Sequence, residues 1–132
     1  MTRDQIRNIL DSLGLATRVD EEGDLCFILG ADDDFGHSVS IWLILSPDGN
    51  RLSFVGVAPD YKPAGDLLYM ANRSNGRRNY PTAVVRGGHV RFEYSIYIKE
   101  EVSEEYLVNC IRSICSSMWT AFCDLEKDNI EE

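Results

Sequence analysis

The sequence predicts a single α+β domain whose elements run α-βββ-α-ββ-α, an antiparallel sheet with helices before, between and after its strands. Two hairpin signals and one long helical stripe carry that expectation. Residues 39–58, VSIWLILSPDGNRLSFVGVA, hold two runs rich in Ile, Val, Leu, Trp and Phe around Ser46-Pro47-Asp48-Gly49-Asn50. Pro47 presets φ for a type I turn and Gly49 suits the left-handed return. Further on, Gly87-Gly88 supplies the positive φ of a two-residue hairpin turn. Near the end, Leu107, Val108, Ile111, Ile114, Cys115, Met118, Trp119, Phe122 and Leu125 recur at helical spacing. The first hairpin belongs in the middle of the sheet.

Thr2 followed by Gln5 has the pattern of a capping box, and Ile6, Ile9, Leu10 and Leu13 then form one helical face before Gly14 ends the run. Residues 16–24 are polar and acidic. The apolar run 25–29, LCFIL, is the first full strand, and 30–37, GADDDFGH, is a loop by composition leading into the central hairpin. Pro59 and Pro63 bracket a break, after which 64–72 reads as a short helix with Leu67, Leu68 and Ala71 inward and Pro63 in its first turn. Residues 72–79 form a polar, locally basic loop in which Asn75 or Gly76 takes the left-handed terminating position. Strands 82–86 and 89–99 follow. In the second, Val90, Phe92, Tyr94, Ile96 and Ile98 alternate with Arg91, Glu93, Ser95, Tyr97 and Lys99, so one face is core and the other meets water or a partner. Ser103 caps the last helix, with Glu104 and Glu105 in its positive first turn. Its stripe is wider than a helix on a sheet needs, and the end from about 127 to 132 is expected to fray.

A length of 132 residues fits one domain, 1–132, around one core. With 22 Asp and Glu against 13 Lys and Arg, the net charge of −9 argues against a general nucleic-acid binder and against attachment to anionic lipid. Cys26, Cys110, Cys115 and Cys123 contain no CxxC pair, and their spacing along a helix does not suit a disulfide framework. No run is apolar enough for a signal peptide or a membrane span. These features together predict a cytoplasmic protein.

No cofactor is expected. An EF-hand loop begun at Asp32 needs its glycine one residue beyond Gly36 and puts Leu43 where the bidentate Glu belongs. His37 and His89 lie at no metal-ligand spacing, and neither a GxSxG elbow nor a Walker A or GxGxxG loop occurs. The basic cluster Arg73, Arg77 and Arg78, with Arg86 and Arg91, has two readings: an anion-binding loop, or a solvated loop balancing nearby carboxylates. Trp42, Cys115, Met118 and Trp119 are the candidates for a protein interface, because large apolar and aromatic side chains anchor interfaces more often than charged ones. Trp42 alternates with Ile41 and Leu43, so both faces of its strand are apolar and only one can meet the helices.

Several short stretches also carry a family resemblance: Ile9-Leu10 with Leu13-Gly14-Leu15, Gly23-Asp24-Leu25, Ile41-Trp42, Leu52-Ser53-Phe54, Leu67-Leu68, the spaced Asn72 and Asn75, Val90-Arg91-Phe92-Glu93, and Val102-Ser103. On these residues the chain resembles the YbjN family of bacterial sensory transduction regulators, whose fold is like that of type III secretion chaperones. The resemblance implies helices largely on one side of the sheet, homodimers, and proteins that are not enzymes. Secretion chaperones of this fold bind extended segments of client proteins along apolar patches. The expected function is thus a non-catalytic, chaperone-like or regulatory protein-binding domain that is a homodimer with a client or regulatory protein partner, without nucleic acid or membrane. A sensor domain that binds a small anionic ligand through residues 73–78 is the alternative.

Overall fold

The computed structural model describes residues 1–98 and 102–131, the last three by their backbone. Its elements are α1 (Arg3–Ser12), β1 (Arg18–Val19), β2 (Leu25–Leu29), β3 (Val39–Leu45), β4 (Arg51–Val57), α2 (Leu67–Arg77), β5 (Thr82–Arg86), β6 (His89–Tyr97) and α3 (Glu104–Glu131). The strands form one antiparallel sheet in the order β1-β2-β3-β4-β6-β5, which places the β3-β4 hairpin at its centre. The fold is α+β, as predicted.

Local chemistry sets the joints. Thr2 and Gln5 form the capping box of α1, with Thr2 N–H donating to Gln5 Oε1 at 2.8 Å and Gln5 N–H to Thr2 Oγ1 at 3.3 Å. In the central hairpin Gly49 has φ of 76°, and its N–H donates to the Ser46 carbonyl at 2.9 Å. Gly87 and Gly88, at φ of 58° and 79°, turn β5 into β6. Ser103 Oγ accepts from Tyr106 N–H at 3.1 Å and opens α3.

One sheet face is core. Leu25 and Phe27 of β2, Val39, Ile41 and Leu43 of β3, Leu52 and Phe54 of β4, and Val90 and Phe92 of β6 are buried on it. Against them lie Ile6, Ile9 and Leu10 of α1, Met70 and Ala71 of α2, and a row from Leu107 through Met118 and Phe122 to Leu125 of α3. Gly56 marks a close approach: a Cβ there would sit 3.0 Å from Met118 Sδ and 3.2 Å from Ile41 Cδ1. The opposite face carries the other set of the alternation, Cys26, Ile28, Ser40, Trp42, Ile44, Arg51, Ser53, Val55, Glu93, Ser95 and Tyr97 among them.

Four expectations are corrected. The acidic stretch 16–24 contributes a two-residue edge strand, β1, because Arg18 and Val19 pair with Cys26 and Leu25. The second helix begins three residues late, since Asp66 caps it by accepting from Leu68 and Tyr69 N–H at 3.0 and 3.3 Å. It then runs to Arg77, so Asn75 and Gly76 stay helical, and Leu68 is 66% exposed instead of inward. Residues 30–37 form a loop, as expected, but one that turns a residue into the core. The Asp32 carboxylate accepts from the Asp34 and Phe35 N–H groups at 2.8 and 2.9 Å, folding that segment so that Phe35 is fully buried.

Asp128, expected at a fraying end, is buried and paired with Arg77, and α3 continues to Glu131. Lys99, the last residue of the predicted strand 89–99, and Glu132 lie outside the described residues. No helix of the described chain is long and apolar enough to cross a membrane.

Candidate functional site

Two-residue periodicity puts Trp42 on the sheet face away from the helices. The row through it reads Arg18, Cys26, Trp42, Val55, Glu93, Thr82 across all six strands. On either side stand Ile28, Ser40 and Val57, and Ile44, Ser53 and Ser95. Ile28 is 57% exposed, Ile44 37% and Tyr97 80%, while Trp42, Val55 and Val57 are half-buried. Cys26, between Arg18 and Trp42, is fully buried, its Sγ 3.9 Å from Arg18 Nη2. The result is an apolar stripe along the central strands, with polar pairs such as Ser53 and Ser95, 2.8 Å apart, beside it.

The other interface candidates fall elsewhere. Met118 is fully buried under Gly56, and the Trp119 ring packs edge-on against Phe35 at 5.6 Å. Cys115 is half-buried, and burial pushes its thiol up to about 12, far above the range of a nucleophilic thiolate. The wide stripe of α3 is largely accounted for by two surfaces inside the domain: the sheet, and the aromatic group Phe35, His37 and Tyr61, with ring separations of 5.1 to 5.4 Å. Burial, then the nearby Glu126 carboxylate, raises Tyr61 to about 12.

Arg73, Arg77 and Arg78 are not a loop. The first two lie on α2 and the third caps it, and all face carboxylates of α3. Arg77 Nη1 donates to Asp128 Oδ1 at 2.6 Å, Arg73 Nε lies 3.8 Å from Asp128 Oδ2, and Arg78 is bonded to Asp124. Arg78 is the most enclosed, its side chain 16% exposed. These bridges fasten α2 to α3, which is the carboxylate-balancing reading of the cluster.

Two features escaped the sequence. A cleft of about 330 Å³ on the helix side is lined by Tyr80, Tyr94, Ile96, Tyr106, Cys110 and Ile114. The Tyr80 and Tyr94 rings lie 4.9 Å apart, and a hydrogen bond with Cys110 raises the pKa of Tyr106. No sequence spacing links these tyrosines, because three elements bring them together. The second feature is the arginine frame of the helix-free face: Arg51, whose Nη2 donates to Ser95 Oγ at 3.3 Å, and Arg91, paired with Glu93 at 2.9 Å. The alternation in 89–99 already held that signal. Among the described residues no three His, Cys, Asp or Glu gather as for a metal ion.

No curated protein matches the chain. The family model described as "Putative bacterial sensory transduction regulator" matches residues 2–125. It spans α1 through most of α3, including every strand described above. The chain belongs to the YbjN family.

Proposed function

We propose that this regulator is a non-catalytic protein-binding domain that holds an extended segment of a client or regulatory partner, in a chaperone-like manner, on the helix-free face of its sheet. The carrying observation is the apolar stripe of Trp42, Val55, Val57, Ile44 and Ile28 on a face that none of the three helices covers. Half-buried aromatic and β-branched side chains on a sheet face offer contact area at little entropic cost. Free cysteines suit a reducing cytoplasm as the place of action.

Two copies of the chain pair, on this reading, through the tyrosine cleft. That side is apolar, and Tyr106 at its rim is 57% exposed. Light scattering on the wild type and on Tyr106→Glu tests the pairing: a dimer that becomes a folded monomer is expected.

The binding role is tested with strand-length peptides that alternate Leu, Val or Phe with polar residues, measured by fluorescence anisotropy. Binding that Trp42→Ser removes, with the denaturation midpoint kept, is expected. If no peptide of any charge binds in a Trp42-dependent way, the proposed function is wrong.

A further inference from the structure

The outward positions of the sheet are charged unlike the rest of the molecule. Among the described residues they carry Arg18, Arg51, Arg86 and Arg91 against the single carboxylate Glu93. The whole chain, by contrast, has 22 Asp and Glu against 13 Lys and Arg. Cationic side chains are therefore concentrated around the helix-free face, where Ile28, Ile44 and Tyr97 are exposed. Arg18, Arg51 and Arg86 are exposed. Arg91 gives one nitrogen to Glu93, while its Nε is buried without a hydrogen-bond partner among the described residues.

We infer that the segment bound on this face is an acidic one, a stretch of protein that alternates apolar residues with Asp or Glu. The inference rests on the proposed protein-binding role and names the chemistry of its partner. Apolar residues of the segment meet Trp42, Val55, Ile44 and Ile28. Its carboxylates meet the guanidinium groups of Arg51, Arg86 and Arg91, which suit planar two-point contact with a carboxylate. At the opposite end, the β1-β2 turn sets Asp20, Glu21 and Glu22 around the depression beside Trp42 and Arg18. That turn repels the segment's acidic residues and directs them over β4, β6 and β5.

A second copy is a poor occupant. With the two-fold axis across the strands, pairing through this face sets one arginine frame against the other. Nucleic acid is disfavoured too, because the stripe is mostly aliphatic, with Trp42 and Tyr97 its only large rings among the sheet's outward positions, whereas base stacking needs a series of aromatic faces.

The experiment uses the full chain and the alternating peptides in three series, with Glu, Ser or Lys at the polar positions, together with a single-stranded oligonucleotide. The Glu series is expected to bind tightest, by about tenfold over the Lys series, and to weaken as salt rises. Arg51→Glu combined with Arg86→Glu should reverse that order while the denaturation midpoint stays near wild type, since both side chains are exposed. Equal binding of all three series, each lost in Trp42→Ser, overturns the acidic partner and leaves the binding role standing. No Trp42-dependent binding of any series overturns both. Tighter binding of the oligonucleotide than of the Glu series assigns the face to nucleic acid, and a dimer abolished by Trp42→Ser assigns it to a second copy; either result overturns the inference.

Discussion

Asn75 joins Ala83 through both ends of its carboxamide. Its Nδ2 donates to the Ala83 carbonyl at 3.0 Å, and the Ala83 N–H donates to Asn75 Oδ1 at 2.7 Å. A side chain of α2 thereby does for the β5 edge what a neighbouring strand would do. It satisfies the outward-pointing backbone groups and denies that edge to another chain. Asn75→Ala is expected to cost about 1–2 kcal/mol, one net hydrogen bond or two, in denaturant unfolding. Concentration-dependent association by light scattering should accompany it, and an unchanged midpoint would show that the pair is incidental.

The approach of α3 to the sheet at Gly56 gives a second prediction. A methyl group there meets Met118 Sδ at 3.0 Å, Ile41 Cδ1 at 3.2 Å and Phe122 Cε2 at 3.6 Å, all on fully buried side chains. Gly56→Ala should destabilise by about 1–3 kcal/mol through overpacking. Adding Met118→Ala should make the pair of changes less costly than the sum of the two singles, which a double-mutant cycle measures directly.

The bridges between α2 and α3 are unequal. Arg77 is 45% exposed at its side chain and returns to water when its partner is lost, so Asp128→Asn should cost about 1 kcal/mol or less. Arg78 is enclosed, and its Nε has no hydrogen-bond partner among the described residues. Asp124→Ala strands that guanidinium and should cost about 2–3 kcal/mol. Because Asp124 and Asp128 answer the cluster, inorganic phosphate should leave the wild-type Tm unchanged but raise that of Asp124→Asn combined with Asp128→Asn. A rise in the wild type would favour the anion-sensor reading.

Alkaline pH should unfold the protein early. Burial raises Cys115 from 9.0 to about 12, so the unfolded chain releases this proton first as pH climbs. Its contribution is whole below about pH 9 and is lost between there and 12, at most roughly 4 kcal/mol of it. Tyr61 acts in the same direction above 10. Stability measured against pH should be flatter between 9 and 12 in Cys115→Ala. At pH 8, alkylation of folded wild type should leave Cys115 among the slowest thiols.

Much of this architecture could be read from single residues and short patterns. Thr2 with Gln5, the turn at Gly49, Gly87-Gly88 and Ser103 act within a few positions of themselves, and each sits where its local chemistry puts it. The start of α2 was obscured because Pro63 and Asp66 are both good helix openers, and the Asp66 side chain decides between them by its bonds to Leu68 and Tyr69. Phe35 was hidden by its polar neighbours, since composition does not reveal that Asp32 turns inward on its own loop. At the candidate site, the excess of apolar residues on β3 was legible and its direction was not. Trp42 and Met118 look alike as sequence, yet one lies on the open face and the other under Gly56, a difference fixed only by which side the helices choose. Alternation in 89–99 already set Arg91 outward, whereas gathering it with Arg18, Arg51 and Arg86 depends on register across the whole sheet, a long-range relation that no local window contains.

Asn75 is followed by Gly76, the dipeptide in which asparagine most readily loses ammonia, because the small next residue lets its backbone nitrogen attack the side-chain Cγ. Here the helical backbone carries that nitrogen away from Cγ, and both ends of the amide are held by Ala83. The contact that seals the sheet edge thus also slows a chemical clock: the chain ages at this position only as often as the C-terminal turn of α2 opens, and each deamidation puts a carboxylate opposite the Ala83 carbonyl and keeps the edge open.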